Sequence, residues 1–352
     1  MAVFSLLKDP ADYRPCKHEM VRDAEFRTHW LGHFEHHFEL VMHLAVDTYG
    51  PAAQGRADAC KAAFLGDVRA FREQPDRCGE LTLLSMDRLR QERLIEHGLP
   101  DPFEKMKQRE NEATLPLYPQ VVAELDSHSS EEEALLLVTE GVFAGNIFDL
   151  GAGATAKRYA NESPDFNAVR DGLGGTRPWL VDQYDALAKR LLTGVRPRKA
   201  MFFCDNAGSD CLLGVIPFCR FLAKRGTQVM IAANRLPALN DVTHSELGAL
   251  LERLRKVDAT LDGLMRAGRL GAIDSGCVTP LIDLREVSEE VQRHAADTDL
   301  VILEGMGRAV ESNFEALFTV DALKLAMIKD EMVARKHGGK VFDTVCRFDP
   351  EM

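Results

Sequence analysis

Two periodicities divide the chain. Through the first 145 residues or so, apolar positions recur at steps of three and four, the spacing of one helix face. Trp30, Phe34, Phe38, Val41, Met42 and Ala45 predict a helix over 20–48, stopped by Gly50-Pro51. Cys60, Phe64, Val68 and Phe71 predict a second over 56–73, and a third covers 80–97, ended by Gly98 and Pro100. The polar stretch 103–113 reads as helical and is broken by Leu115-Pro-Leu-Tyr-Pro119. Ser130 and Glu133 make a capping box before the apolar run 134–138. No convincing strand falls in this part. Gly145-Asn146 and the glycines after it read as a turn, with Asn146 facing the site. The stretch 161–177 is polar and irregular, 179–192 predicts a further helix, and Gly194-Val-Arg-Pro-Arg198 a hinge.

From Lys199 onward, short apolar runs alternate with helical patterns. Strands are predicted over 200–204, 228–233, 271–275, 300–303, 323–328 and 341–345, with helices over 210–224, 244–265, 288–296 and 331–337. Pro217 lies inside the first of these helices and predicts a kink or a late start. The fold class is therefore α/β: an N-terminal all-helical part followed by a largely parallel, Rossmann-like sheet covered by helices. Two domains are expected, 1–195 mainly helical and 196–352 α/β.

The strand ends carry the chemistry, because ligands of open α/β sheets bind at the carboxyl ends of strands. Met201-Phe-Phe-Cys204 runs into Asp205-Asn206, the next strand leads to Asn240-Asp241, and 299–303 leads into Glu304-Gly-Met-Gly-Arg308. Asp205, Asn206 and Asp241 offer the oxygen ligands that Mg²⁺ and Mn²⁺ favour. Gly305 and Gly307 permit close approach of backbone N–H groups to an anion, and Arg308 can bind phosphate through two hydrogen bonds. Lys329 ends the next apolar run, where it would neutralise phosphate charge or simply face water. Ser275 ends another strand, where it would bind substrate or turn the chain. Thr243 and Glu246 form a second capping box, whose helix begins with free N–H groups suited to an anion.

Composition narrows the function classes. A formal charge of −12 argues against sequence-independent nucleic-acid binding, which needs Lys and Arg to neutralise phosphates. Hydrophobic content of 45% and charged content of 28% are those of a soluble globular protein. The opening residues hold too short an apolar run for a signal peptide and none for a membrane span. The eight cysteines form no CxxC pair and read as reduced core thiols, so a cytoplasmic location is expected.

Two motifs compete with the strand-end reading. His29, His33 and His36 share one helix face and could hold zinc, but no cysteine or carboxylate completes the set at a familiar spacing. A solvated or domain-facing polar stripe explains them as well. The stretch Ile147-Phe-Asp-Leu-Gly-Ala-Gly-Ala154 resembles the nucleotide-binding turn of S-adenosylmethionine-dependent methyltransferases. Its context is poor, since only Ile147 and Phe148 precede Asp149 as a strand would, and the upstream run suits a helix.

Taken together, these residues resemble the damage-control phosphatase family, metal-dependent phosphatases with a helical N-terminal part and an α/β C-terminal part. Asp101-Pro102-Phe103, Lys107 and Glu110-Asn111 are similar to the family's helical block, and Gly145-Asn146-Ile147-Phe148-Asp149 to its linking block. Asp205-Asn206 and Leu239-Asn-Asp-Val-Thr243 resemble its metal-binding blocks. Glu304-Gly-Met-Gly-Arg308 resembles the motif of one subfamily, which includes stand-alone plant proteins and domains fused behind pantothenate-kinase-like modules in animals. The chain has no kinase-like portion and so resembles the stand-alone form.

The resemblance implies metal ligation by Asp205, Asn206 and Asp241, with Mn²⁺, Co²⁺, Ni²⁺ or Mg²⁺ as the metal. It also implies hydrolysis of small phosphomonoesters, with 4′-phosphopantetheine and its oxidised or damaged forms favoured. A metal-bound water or Asp205 would attack phosphorus, and Glu304 would protonate the leaving alkoxide. Asn146, Ser275, Gly305, Gly307, Arg308 and Lys329 would hold the substrate. The expected partner is a small phosphorylated metabolite, not nucleic acid or membrane. The alternatives are a methyltransferase built on 149–153 and a non-catalytic phosphometabolite sensor.

Overall fold

Every residue of the strand Lys199–Phe203 is buried, and its side chains alternate between two apolar layers. Met201 and Phe203 point into one layer, Ala200, Phe202 and Cys204 into the other. A strand covered on both faces reads as a continuous apolar run, which is why 200–204 lacks polar alternation. Each fully shielded phenylalanine contributes about 1.5–3 kcal/mol through removal from water.

The computed structural model describes residues 1–17, 19–77, 79–147, 166, 170, 172 and 177–351. Among these residues one sheet contains β1 (Val181–Asp182), β2 (Lys199–Phe203), β3 (Gln228–Ala233), β4 (Leu270–Asp274), β5 (Leu300–Glu304), β6 (Asp321–Met327) and β7 (Thr344–Asp349). Their spatial order is β1-β7-β6-β5-β2-β3-β4, and only the β6–β7 pair is antiparallel. The α/β class and the mainly parallel sheet are as the sequence predicts.

Helices α1 (Ala24–Tyr49), α2 (Gln54–Glu73) and α3 (Leu83–Glu96) pack into the layer that holds Met201 and Phe203. Helices α4 (Glu104–Thr114), α5 (Tyr118–Ser127) and α6 (Glu131–Ile147) follow. The apolar faces of α5 and α6 join the opposite layer, with Ala200 and Phe202. The extreme N-terminus also reaches the sheet part: Ala2 bridges Val287, Leu7 bridges Phe318, and the Phe4 ring meets Phe203 edge-on at 6.0 Å.

Several local expectations need correction. Gly145-Asn146 is not a turn but the last stretch of α6. A Cβ at Gly145 would lie 2.8 Å from the Asp210 Cα, so the glycine persists inside the helix because helix and loop meet backbone to backbone. Gly214 stands 3.0 Å, by the same measure, from Gly141 O of α6. The predicted helix 179–192 begins as β1, then becomes α7 (Tyr184–Ala188) and a π-helical turn, Lys189–Thr193. The predicted helix 244–265 is two, α9 (His244–Leu254) and α10 (Ala259–Arg266), because Asp258 caps a new N-terminus by accepting from Leu261 N. The break at Leu115 is a single 3₁₀ turn before α5. The last strand starts at Thr344 rather than 341, after Phe342 turns the chain at φ +74°. Pro217 acts as expected: a π-helical turn, Asp210–Val215, precedes α8 (Ile216–Lys224), and the proline occupies its first turn. The sheet part is completed by α11 (Glu289–Ala295) and α12 (Glu331–Lys336).

Candidate active site

Strands β2 and β5 are neighbours, yet the chain leaves β2 toward β3 and β4 on one side before returning to place β5 on the other. The carboxyl ends of β2 and β5 thus flank a topological switch point, where open α/β sheets bind ligands. Asp205 follows β2 and Glu304 ends β5. The two are tied directly, Asp205 N donating to Glu304 Oε2 at 2.8 Å.

The π-helical turn after β2 brings a third carboxylate, Asp210. One oxygen from each of Asp205, Asp210 and Glu304 lies within 4.8 Å of the others, and all three residues are buried. Asn146, at the end of α6, donates through Nδ2 to Asp210 Oδ2 at 2.8 Å and to Glu304 Oε1 at 3.0 Å. Asn206 Nδ2 donates to Asp205 Oδ2 at 2.9 Å and to Asp210 Oδ2 at 2.8 Å. Two asparagine amides therefore stitch the carboxylates together, but they bring no charge.

The cluster is electrostatically frustrated. Burial, then the Asp205 charge, pushes Asp210 up to about 7. Glu304 is held well above the usual carboxylate range by burial and by Asp210 and Asp205. Asn146 Oδ1 and Asp210 Oδ1 are buried and have no hydrogen-bond partner among the described residues. A compact set of carboxylate oxygens with spare buried acceptors matches the donor chemistry of a hard divalent cation. The residues present fit such an ion.

Beside the carboxylates stands a buried arginine. Arg308 lies on the π-helical turn Met306–Glu311 that follows β5. Its Nη1 donates to Asp205 Oδ1, and its Nη2 donates to Asp241 Oδ2 at 2.7 Å and to Asn234 Oδ1 at 3.0 Å. Burial works against this charge, but Asp241 and Asp205 outweigh it and hold the guanidinium protonated. Asn234 Nδ2 returns to Asp241 Oδ2 at 2.8 Å. The loop bearing Asp241 is laid across the ends of β2 and β3 by backbone bridges, Asn206 with Asp241 and Asn234 with Thr243.

The helical part completes the rim. Asn111 Oδ1 accepts from Gly208 N at 2.8 Å, and Thr114 Oγ1 meets Ser209 Oγ at 3.2 Å, so α4 holds the loop between Asp205 and Asp210. Lys107, fully buried, pairs with Asp101 at 3.0 Å and with Glu246 at 2.8 Å. Glu246 in turn caps α9, accepting from Thr243 N at 2.8 Å, two residues beyond Asp241. The capping box expected from Thr243 and Glu246 is present.

Asp205, Asn206, Glu304 and Asn146 meet in one cluster, and Arg308 joins Asp205 to Asp241. Gly305, at φ +96°, packs against the Asp205 side chain. Lys329 acts on Asp210 electrostatically, lowering its pKa. Gly307 lies against Pro280 O. Ser275 Oγ accepts from Cys277 N at 3.1 Å in the loop that follows β4. Sequence reasoning missed Asp210 and Asn234. Asp210 read as the first residue of a helix; its spacing of five from Asp205, across a glycine at φ +70°, is a fold-back visible only in three dimensions. Asn234 ends a strand as Asp205 nearly does, and that parallel was the available signal.

Among the described residues, His29, His33 and His36 form no metal-ligating group, and His29 Nε2 instead meets Asp330 Oδ2 at 2.8 Å. The turn at 149–153 lies outside the described residues, as does most of 161–177. The segment leading into that turn is helix α6, where a nucleotide-binding turn requires a strand.

A model of the damage-control phosphatase ARMT1-like domain matches residues 42–345. A protein named pantothenate kinase 2 from Arabidopsis thaliana is 39% identical over 99% of this chain and 42% of its own length. A damage-control phosphatase of the same plant is 37% identical over 85% of this chain and 81% of its own. The 4′-phosphopantetheine phosphatase of Mus musculus is 33% identical over 98% of this chain and 48% of its own. The chain thus spans less than half the length of several relatives it matches. In fold it is similar to a DUF89 family protein from Pyrococcus horikoshii, with a TM-score of 0.64 at 16% identity, covering 90% of this chain and 96% of that one.

Proposed function

The chain belongs to the damage-control phosphatase ARMT1-like domain family, and we propose that it hydrolyses small phosphomonoesters with a divalent metal ion. The observation that carries this reading is the buried triad Asp205, Asp210 and Glu304 standing beside Arg308 at the switch point of the sheet. Anionic ligands for a cation and a cation for an anion, within one site, suit a phosphate ester bound between them.

Asp205, Asp210 and Glu304 would hold the ion, with Asn146, Asn206 and Asp241 arranged around them. A bound divalent ion would neutralise phosphate charge and polarise the ester. Arg308 donates to Asp205, Asp241, Asn234 and Pro280 O, and it would take up a phosphate oxygen by exchanging one of these bonds, with Gly305, Gly307 and Lys329 nearby in sequence or space. Either Asp205 or a water molecule attacks phosphorus; an aspartyl-phosphate trapped by rapid quench would distinguish the first. The sequence casts Glu304 as the leaving-group acid, a role that competes with its place among the ion's ligands. Both its oxygens already accept N–H bonds, from Asp205 and Asn146, an arrangement that suits an ionised ligand better.

The favoured substrates are 4′-phosphopantetheine and its oxidised or damaged forms, a reading supported by the name of the mouse relative. The candidate metals are Mn²⁺, Co²⁺, Ni²⁺ and Mg²⁺. The division at residue 196 belongs to this proposal as a division of roles, the helical part bracing a site carried by the α/β part. A cytoplasmic setting is supported by the free, buried thiols of Cys16, Cys60, Cys204, Cys211, Cys219, Cys277 and Cys346. Among the described residues no helix is long and apolar enough to cross a membrane.

The test is phosphate release from a panel of phosphomonoesters, including 4′-phosphopantetheine and sugar phosphates, with each metal and with chelator. Metal-dependent release is expected, with the pantetheine ester preferred. Folded protein that releases phosphate from no ester with any metal would overturn the reading.

A further inference from the structure

Tyr13 stands in the irregular segment before α1, outside the residues 42–345 that the family model matches. It is nevertheless only 7% exposed and packs in the apolar layer that holds Met201 and Phe203. A phenol carried that deep needs partners for its hydroxyl. It finds them on two different loops. Tyr13 Oη donates to Asn313 Oδ1 at 2.7 Å and accepts from Leu284 N at 3.1 Å. Burial raises the phenol well above its ordinary pKa, so the proton on the bond to Asn313 stays in place.

Those two loops form the bed of the turn that carries Arg308. Asn313 is buried, and its Nδ2 donates to Arg308 O at 2.9 Å and to Ile282 O at 3.1 Å. Beside it, Ser312 Oγ donates to Gly307 O at 2.6 Å. From the other loop, Pro280 O accepts from Arg308 Nη1 at 3.1 Å. Arg308 is thus held at both ends, its carbonyl by Asn313 and its guanidinium by Pro280 O and the groups of the site. Carbonyls near the end of a helical turn need such outside partners, because the turn itself supplies too few. The N-terminal segment clamps the same loops through its backbone. Phe4 N donates to Leu284 O at 2.8 Å, and Cys16 N donates to Ser312 O at 3.3 Å. Tyr13 lies between these clamps and ties both loops through one hydroxyl.

We propose that Tyr13 is a positioning residue of the phosphatase site, fixing through Asn313 the backbone from which Arg308 reaches the phosphate. The proposal rests on the phosphatase reading and adds the N-terminal segment to the machinery of that site. Arg308 must exchange one of its bonds for a phosphate oxygen, so its backbone has to stay still while the guanidinium changes partner. Tyr13→Phe keeps the ring and its packing. It strands Asn313 Oδ1 and Leu284 N, two buried groups that then lack their partner. Asn313 is released to turn away from Arg308 O, and the guanidinium shifts with the turn.

The experiment is a double-mutant cycle on kcat/KM for 4′-phosphopantetheine with Mn²⁺, in wild type, Tyr13→Phe, Arg308→Lys and the double variant. Calorimetric titration with inorganic phosphate in the presence of Mn²⁺, and thermal unfolding, accompany it. Tyr13→Phe is expected to lower kcat/KM about tenfold and to weaken phosphate binding several-fold, less than the roughly 100-fold cost of a full 1 Å misplacement. In the Arg308→Lys background the same substitution is expected to cost about twofold or less, because the group it positions has gone. A lower melting temperature with unchanged kcat/KM and phosphate affinity overturns the proposal, since Tyr13 would then serve the fold alone. Equal losses in both backgrounds overturn it too. Ser312→Ala cuts the tie to Gly307 O, one step closer to Arg308, and it takes the place of Tyr13→Phe in the cycle should that variant fail to fold. Wild type that binds phosphate but hydrolyses no ester overturns the phosphatase reading alone. Phosphate binding weakened in Tyr13→Phe then still supports the relay, and unchanged binding overturns it. Wild type that neither hydrolyses an ester nor binds phosphate overturns both.

Discussion

Gly305 stands so close to Asp205 that a Cβ at Gly305 would lie 2.8 Å from the Asp205 Cβ. The glycine is required twice, once for that approach and once for its φ of +96°. Gly305→Ala should therefore strain the backbone by about 1–3 kcal/mol and push Asp205 out of place. Displacement of a reacting group by about 1 Å costs on the order of 100-fold in rate. Chemical denaturation and phosphate release on the purified variant check the two effects. Wild-type activity in Gly305→Ala would mean that the Asp205 position does not matter.

Asn146 tests the stitching of the cluster. Its amide donates to both Asp210 and Glu304, so Asn146→Asp replaces a shared donor with a fourth carboxylate. Like charges at that range repel, and the variant should need more metal for half-maximal activity and lose most turnover. Asn146→Ala should lose less, because it removes the donor without adding charge. Metal titrations of activity for the two variants give the order; the reverse order would argue that Asn146 contributes as an oxygen ligand rather than as a donor.

Lys107 links the helical part to the site. It is wholly buried between Asp101 and Glu246, and removing one member of such a group leaves uncompensated charge. Lys107→Met should destabilise the protein by about 3 kcal/mol. It should also loosen the Thr243 cap and, through it, the Asp241 loop. Glu246→Gln in the same background should recover part of that loss, since it removes one stranded carboxylate. Thermal unfolding of the single and double variants measures the coupling, and strictly additive losses would show that the pair does not interact.

The parts of this molecule that could be read from sequence are those governed by local pattern. Alternating apolar runs and helices identified the sheet, and the strand-end residues Asp205, Glu304 and Arg308 were visible because chain direction alone places them. Asp210 escaped because its partner is reached through a fold-back at Gly208, and Asn146 was misassigned to a turn because glycine usually marks one. Here Gly141 and Gly145 mark helix contact: their missing side chains admit the backbone of 209–214, and only the packed structure distinguishes that use from a break. Likewise the short strand β1 exists because it pairs with β7, a partner more than 160 residues away.

The raised pKa of Asp210 makes metal-free stability depend on pH with a definite sign. Its carboxyl moves from 3.8 to about 7 on folding, so the folded chain binds the proton more tightly than the unfolded one. Stability is then highest below about pH 4 for this group, falls as pH rises from about 4 to 7, and is flat above. Glu304 shifts in the same direction and reinforces the fall. Asp126, lowered to about 2 chiefly by its bond from Arg220, acts oppositely but at lower pH, outside this window. With chelator, the melting temperature should therefore decline between pH 5 and 7. An excess of Mn²⁺ competes with protons for the same oxygens, so its stabilising effect should grow over that range. Asp210→Asn should flatten the decline and shrink the metal effect. Identical pH slopes in wild type and Asp210→Asn, with chelator present, would show that the cluster does not hold this strain and would remove the electrostatic case for a cation there.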